Sequence, residues 1–248
     1  MQEIKKPVIL HLTSLDFGGA GKYTMDFHRS VIACGFESYV AVRGKEMIYP
    51  DGSTHAIKET KSYWWNKIKR YLFRQIVKHA HIDNAYSMYN LCERFTCHSA
   101  VDTLAAMPVK PDIVFVHWVS DYANAEFIAE MKRLTGAEIV FIIVDHAIYS
   151  GGCHYQIECQ GYKDGCHNCL ATSSYIVKRA IEKNYAFKKK YLPKGIILLQ
   201  GEEDKRRLTQ SNIYKDYRLE DLKLPMDDKK FCPAGWRYTT QTMEYPCR

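Results

Sequence analysis

The chain has 248 residues, of which 46% are hydrophobic and 25% charged, a composition that excludes a disordered or low-complexity protein. The apolar run near the N-terminus is too short and too polar for a signal peptide, and no apolar stretch approaches the length of a transmembrane helix. We therefore expect a cytoplasmic protein whose nine cysteines stay reduced. The formal net charge of +7 is unevenly distributed and favours partners that carry phosphate.

Short apolar strands alternate with helical patterns along most of the chain. The first strand is predicted at residues 8–12, a helix follows the glycines after it, and the next strand lies at 36–42. The alternation returns with strands at 112–118, 139–144 and 196–199 and helices at 121–134, 174–191 and 202–209. This order predicts an α/β fold with a doubly wound, mostly parallel, Rossmann-like sheet over residues 1–225, followed by an irregular tail at 226–248.

The stretch LDFGGAGK, residues 15–22, leaves the first strand and enters a helix. Glycines at Gly18, Gly19 and Gly21 let the backbone approach a phosphate, and the helix N-terminus offers unpaired N–H groups to an anion, with Lys22 close by. The stretch lacks the complete G-x-G-x-x-G fingerprint of dinucleotide-binding proteins, and it lacks the Lys-Ser/Thr pair that ends a P-loop. A tight structural turn is the alternative interpretation.

Polar residues follow two later strands, at the edge where α/β sheets bind ligands. His117 ends one strand, and Asp145 and His146 end the next. Side chains of these types can orient or deprotonate a hydroxyl, so all three are candidate catalytic residues. On sequence pattern alone, a lone histidine at such a position is more often a hydrogen-bonded neighbour of the strand, which is the alternative interpretation.

A cysteine-rich loop, residues 151–169, follows these residues. It contains four cysteines with the spacing C-x5-C-x6-C-x2-C: Cys153, Cys159, Cys166 and Cys169. The closing C-x2-C is a common half of a zinc site, and thiolates bind zinc tetrahedrally, so the sequence predicts a structural zinc. The alternative is a loop of reduced, partly buried thiols.

The basic segment at residues 61–80 has Trp64 or Trp65, Ile68, Leu72 and Ile76 along one helical face. A helix of this kind could lie on an anionic membrane surface, as a peripheral contact on the inner face of the membrane. It could equally pack its apolar face on the sheet and leave its lysines in water. We favour packing.

Four stretches, in this order, resemble the N-terminal half of bacterial GT-B glycosyltransferases of family 4, which serve polysaccharide and lipopolysaccharide synthesis. They are HLTSLDFGGAGKYTMDFHRSVIACG, PDIVFVHWVS, VDHAIYSGGCHY with the cysteines after it, and LPMDDKKF. The resemblance implies a retaining hexosyltransferase with a nucleotide-sugar donor, a glycan or lipid-linked acceptor and no catalytic metal. It also implies that Gly18, Gly19 and Gly21 face the donor diphosphate, that Asp145 is the acid of a His-Asp pair, and that the cysteine loop is structural. The family's usual His before that acid is Val144 here.

The nucleotide-sugar half of the family is absent from this sequence, and LPMDDKKF resembles the hinge that leads into it. We expect that half on a separate chain, or an incomplete and inactive enzyme. Two alternatives remain. The chain could be a non-catalytic remnant that binds an acceptor or a membrane, or a zinc-stabilised nucleic-acid-binding domain that uses its basic runs. The basic runs have no finger or helix-turn-helix spacing, so we expect no nucleic-acid partner.

Overall fold

The computed structural model describes residues 6–44 and 52–222. Seven strands in these ranges form one sheet in which all neighbours are parallel. The strands are β1 (Val8–Leu15), β2 (Glu37–Gly44), β3 (Thr54–Ala56), β4 (Ile113–Val116), β5 (Glu138–Ile142), β6 (Ile196–Leu199) and β7 (Arg218–Asp221). The α-helices are α1 (Gly18–Ala33), α2 (Trp64–Lys78), α3 (Ala100–Ala105), α4 (Ala125–Thr135), α5 (Tyr175–Tyr191) and α6 (Glu202–Gln210).

The strand order is β3-β2-β1-β4-β5-β6-β7. The chain begins in the middle of the sheet, builds outward to one edge, and then returns to build the other half. Because connections between parallel strands are right-handed, this reversal places helices on both faces of the sheet. The α/β fold with a doubly wound, Rossmann-like sheet is confirmed. The reversal between β1 and β4 opens a crevice at the carboxyl ends of these strands.

The three central strands are buried on both faces, which explains their continuous apolar sequences. Leu12 of β1, Val116 of β4 and Phe141 of β5 are fully or almost fully buried in one hydrophobic core. Helix α4 has a fixed N-terminal end, because the side chain of Asn124 caps it by accepting a hydrogen bond from the Phe127 N–H at 2.9 Å. The apolar strands and capped helices therefore fix the frame around the crevice.

Three elements were not predicted from the sequence: β3, β7 and the short helix α3. Both strands are short and lie at the edges of the sheet, and most residues of β7 are exposed and polar, so no apolar run marks them. The predicted tail at 226–248 and the hinge-like LPMDDKKF lie outside the described residues. Among the helices of the described ranges, none combines the length and hydropathy needed to cross a membrane.

The expected packing of the apolar face of α2 on the sheet is wrong. Asn66, Phe73 and Val77 face the protein together with the buried Arg70, whereas the tryptophan face is exposed. The ion pair between Arg70 Nη2 and Asp121 Oδ1, at 2.6 Å, requires this orientation, because the guanidinium reaches its carboxylate only when that side of the helix points inward. Phe73 and Val77, on the same side, pack against the hydrophobic core.

Candidate active site

An open cleft of about 610 Å³ lies at the carboxyl end of the sheet. Its walls come from the segments that follow β1, β4, β5 and β6, so it occupies the crevice created by the reversal of strand order. Four aromatic rings line it: Phe17, Tyr23, Trp118 and Tyr155. The cleft therefore presents broad apolar surfaces beside the polar groups described next.

The N-terminus of α1 opens into this cleft. Gly18 adopts a φ of +70°, and a Cβ at Gly18 or Gly19 would meet no atom within 4 Å, so both backbones are open toward the cleft. The N-cap residue Phe17 makes no side-chain hydrogen bond to the first turn. The first N–H groups of a helix lack partners within the helix and attract anions. This end of α1 can therefore accept a phosphate.

Two other residues of the glycine stretch have different positions. A Cβ at Gly21 would lie 2.6 Å from the Leu15 carbonyl oxygen, so this glycine allows α1 to pack closely on the end of β1. Lys22 is exposed on α1 and is not among the residues that line the cleft in the described structure. Of the predicted phosphate-binding residues, the structure brings only Gly18 and Gly19 to the cleft.

Asp145 forms a hydrogen-bonded pair with His154 in the wall of the cleft. Asp145 Oδ2 lies 2.7 Å from His154 Nδ1, and Asp145 Oδ1 accepts the Ala147 N–H at 2.8 Å. Because a carboxylate only accepts hydrogen bonds, Nδ1 carries a proton, and in the neutral ring Nε2 keeps its lone pair. His154 is 5% exposed, and its Nε2 is buried with no hydrogen-bond partner among the described residues. A ligand hydroxyl therefore reaches Nε2 only after a shift of the ring or of a side chain that covers it.

The cysteine loop delivers His154 to this position. The His154 N–H donates to the carbonyl oxygens of Tyr86 and Ser87, both at 3.2 Å, and Cys153 forms an isolated antiparallel bridge with Met88. The ring lies edge-on to Tyr89, with centroids 5.2 Å apart. His154 was not predicted from the sequence, because its pairing with Asp145 spans a loop. The signal available was a histidine directly after a cysteine in a glycine-rich loop that follows the Asp145 strand.

His117 lies in the interior behind the cleft. It is 3% exposed, and its Nε2 is 2.9 Å from His11 Nδ1. Burial lowers the pKa of His117 to about 3, and burial together with the two neighbouring histidines lowers the pKa of His11 well below its usual value. Both rings are therefore neutral near pH 7. The structure supports a buried histidine pair here and brings neither ring to the open cleft.

His146 is half-buried beside helix α6 and is not among the cleft-lining residues of the described structure. Its Nε2 lies 3.8 Å from Asp204 Oδ1, and its ring centroid is 5.4 Å from that of Tyr149. Burial lowers its pKa, and the nearby Arg207 lowers it further. Of the three predicted catalytic residues, only Asp145 therefore reaches the cleft.

A smaller chamber of about 50 Å³ lies behind Asp145 and Trp118, with room for roughly three water molecules. Lys188 lines it and is 2% exposed. Its ammonium group lies 2.7 Å from Glu93 Oε2 and donates to the carbonyl oxygens of Ala147, at 2.6 Å, and Ser150, at 2.8 Å. Helix α5 is thereby bonded to the loop that carries Asp145.

The four cysteines of the loop are free thiols in this structure, with Cys153, Cys166 and Cys169 buried and Cys159 half-buried. Burial raises the pKa of Cys153 to about 11 and that of Cys166 to about 12, so both are protonated near pH 7. Two sulfur atoms accept backbone N–H groups: Cys166 Sγ from Gly151 at 3.2 Å and Cys159 Sγ from Gly161 at 3.4 Å.

These thiols do not form a metal site as placed. Within residues 6–44 and 52–222, no three His, Cys, Asp or Glu side chains are arranged to bind one metal ion. Zinc binding by the loop stays a prediction, and it requires the sulfur atoms to rearrange. In this structure the loop is connected to the protein through the Cys153–Met88 bridge and the His154 backbone contacts instead.

Comparison with known proteins adds no relationship to these observations. The chain matches no protein-family model, and a search of the curated proteins finds no match either.

Proposed function

We propose that the chain is the acceptor-side domain of a glycosyltransferase, which takes part in moving a sugar from a nucleotide sugar to a hydroxyl of a glycan or a lipid-linked saccharide. One observation carries the proposal: an oriented histidine, His154, and the uncapped N-terminus of α1 line the same open cleft. The aromatic rings in its walls suit the apolar faces of sugars.

The two polar features suit the two ends of a sugar transfer. The donor diphosphate lies at the first turn of α1, where the N–H groups and the helix dipole stabilise its charge. Once a small shift exposes His154 Nε2, the acceptor hydroxyl donates its hydrogen bond to this atom. As its oxygen bonds to the anomeric carbon of the donor sugar, the bond from that carbon to the diphosphate breaks and the diphosphate leaves with the electron pair. The hydroxyl proton passes to His154, and Asp145 stabilises the resulting imidazolium.

The proposal includes a second, donor-binding domain, because the cleft is open on one side and the chemistry needs a closed, water-poor site. The described residues would supply the acceptor contacts and part of the diphosphate site. Ligand binding can therefore be tested on this chain by itself, before transfer is tested with a donor-binding domain added.

The first experiment is NMR titration of the chain with UDP-glucose and with inorganic pyrophosphate. We expect both to perturb the backbone signals of Gly18 and Gly19 and to compete with each other, because both carry a diphosphate. His154→Gln should leave the affinity for both ligands unchanged, because the proposal assigns His154 to the acceptor hydroxyl and not to the donor. Once a donor-binding domain is added, this variant should lower transfer by about 10²–10⁴-fold, the usual contribution of a general base.

The matched control is His167→Gln, since His167 belongs to the same loop but its side chain is 63% exposed. This variant should bind both ligands and support transfer as the parent chain does. If neither UDP-glucose nor pyrophosphate binds, the cleft is not a sugar-nucleotide site; if both variants lose transfer equally, His154 is not the base. The signals of residues in β1 and β4 report whether each variant remains folded.

A further inference from the structure

Helix α2 presents an apolar face that no other described element covers. Its inner side contains Asn66, Arg70, Phe73 and Val77. The opposite side contains six large apolar or aromatic side chains that are between 38% and 64% exposed: Trp64, Trp65, Ile68, Tyr71, Leu72 and Ile76. The two tryptophan rings stack with centroids 3.9 Å apart. Contiguous exposed apolar surface of this kind marks an interaction site.

The orientation of this face is fixed by polar contacts on the inner side. Arg70 Nη2 and Arg74 Nη2 lie 2.6 Å and 3.1 Å from the two carboxylate oxygens of Asp121. Asn66 Nδ2 donates to the Thr96 carbonyl oxygen at 2.8 Å. Rolling the helix to bury its tryptophans would break all three contacts and leave the buried Arg70 unpaired. The apolar face therefore stays exposed unless a partner covers it.

The charges around the face select the partner. Residues 60–82 contain no Asp or Glu, and Lys61, Lys69 and Lys78 are exposed beside the apolar residues. A two-fold pairing of this face with a second copy would bring its cations together, which opposes self-association. A broad anionic surface with an apolar interior satisfies both the lysines and the tryptophans.

We propose that α2 lies in the surface of an anionic lipid bilayer. Trp64 and Trp65 occupy the headgroup region, where indole rings are favoured, and Ile68, Leu72 and Ile76 reach the acyl boundary. The exposed lysines contact headgroup phosphates. Arg70 and Arg74 take no part, because Asp121 already binds them.

The membrane-facing helix is attached to the segment that lines the cleft. Asp121, which binds both arginines of α2, and Trp118, which lines the cleft, belong to the same connection between β4 and α4. A saccharide carried by a lipid would thus be recruited to the side of the protein where the cleft opens. This step rests on the proposed function and favours a lipid-linked acceptor over a soluble glycan.

The test is flotation of the chain with vesicles of phosphatidylcholine and phosphatidylglycerol, and with vesicles of phosphatidylcholine alone. We expect binding to the anionic vesicles that weakens at about 0.5 M NaCl. The double variant Trp65→Ser/Leu72→Ser should lower the partition coefficient by at least about tenfold. The matched control is Ile32→Ser/Val101→Ser, which removes two exposed apolar side chains from α1 and α3 and should bind as the parent does.

The proposal would be overturned by no flotation of the parent chain, by equal loss in both double variants, or by a dimer in solution that Trp65→Ser/Leu72→Ser dissociates. Salt-sensitive binding to duplex DNA without vesicle binding would also overturn it and would favour nucleic acid. UDP-glucose binding by Trp65→Ser/Leu72→Ser separates the two proposals. It should match the parent chain, so that vesicle binding and cleft binding succeed or fail independently.

Discussion

Lys188 shows how a buried charge can organise the region behind the candidate site. The ammonium group is surrounded by Glu93 and by the carbonyl oxygens of Ala147 and Ser150, so all three of its protons are directed to oxygen atoms. Burial is the main influence on the Glu93 carboxyl and raises its pKa, and the adjacent Lys188 opposes this by favouring the charged form. Each charge therefore depends on the other to stay in the interior.

We predict that Lys188→Met lowers the free energy of unfolding by about 3–5 kcal/mol, because it leaves Glu93 buried without its partner. Urea denaturation followed by circular dichroism measures the loss. Lys190→Met is the control, since Lys190 is exposed at the end of the same helix and should change the value by no more than about 0.5 kcal/mol. Equal effects in the two variants would contradict the dependence on burial.

Single residues of the candidate site were only partly predictable. Asp145 was identified because polar residues at the end of an apolar strand point to the ligand-binding edge of a sheet. His154 was overlooked, although its bond to Asp145 is what gives the carboxylate a role. The pairing depends on how a loop without periodicity folds back, and the hydrogen bonds from His154 to Tyr86 and Ser87 decide it. No local pattern encodes such contacts.

Among the elements, the cysteine loop is the one whose chemistry can be measured directly. If the predicted zinc is bound, the chain purified from cells should contain about one zinc per molecule, and Cys166→Ser should lose it. The loss should lower the melting temperature by several degrees, since the loop then depends on its backbone contacts alone.

Cys34→Ser is the control for this measurement, because Cys34 is exposed at the C-terminal end of α1, outside the loop. Inductively coupled plasma mass spectrometry gives the zinc content. If the parent chain contains no zinc, and its four loop cysteines are alkylated only on unfolding, the loop is built from reduced cysteines as the structure places them.

The packing of the same loop on α5 provides a second prediction at this scale. A Cβ at Gly151 would overlap Ile181 Cγ2 and lie 2.6 Å from the Ile181 carbonyl oxygen, so Gly151→Ala forces the loop and the helix apart. We expect a loss of about 1–3 kcal/mol in thermal or urea unfolding. Gly19→Ala has open space around the new methyl group and should leave stability unchanged or slightly raised. If Gly151→Ala left the free energy of unfolding unchanged, the close contact between Gly151 and Ile181 would be contradicted.

For the whole molecule, the buried histidines predict how stability depends on pH. Burial lowers the pKa of His117 to about 3 and that of His98 to about 4, while the unfolded chain has an ordinary histidine pKa of about 6.5. The unfolded state therefore binds more protons below pH 6.5. Stability is fully present above that pH and falls as the pH drops toward the folded values.

We expect the free energy of unfolding to be lower at pH 5 than at pH 7.5 by about 2 kcal/mol for each such histidine, because one pKa unit corresponds to about 1.4 kcal/mol. His117→Gln should reduce the difference in the free energy of unfolding between the two pH values. His79→Gln should leave that difference unchanged, because His79 is exposed. Urea denaturation at the two pH values is the measurement. A parent chain equally stable at both would show that these rings are not neutral in the folded state.

The overall architecture was predictable because the burial of apolar side chains determines most of it. The central strands are enclosed on both faces and therefore appear in the sequence as uninterrupted apolar runs. Features that depend on solvent-exposed or polar contacts were not predictable. The edge strands β3 and β7 carry no apolar run. The side of α2 that faces the protein contains Arg70, whose partner Asp121 lies far along the chain. Periodicity identified the apolar face of α2 but not the direction in which it points.

The two carbonyl groups that accept the His154 N–H have one more consequence. They hold the backbone that carries His154 against the segment around Tyr86, and the His154 amide exchanges with solvent only when this contact opens. Its deuterium exchange rate therefore measures the fraction of time in which the cysteine loop is released at this point. One backbone position thus records, without any ligand present, how firmly the loop holds His154 beside the cleft.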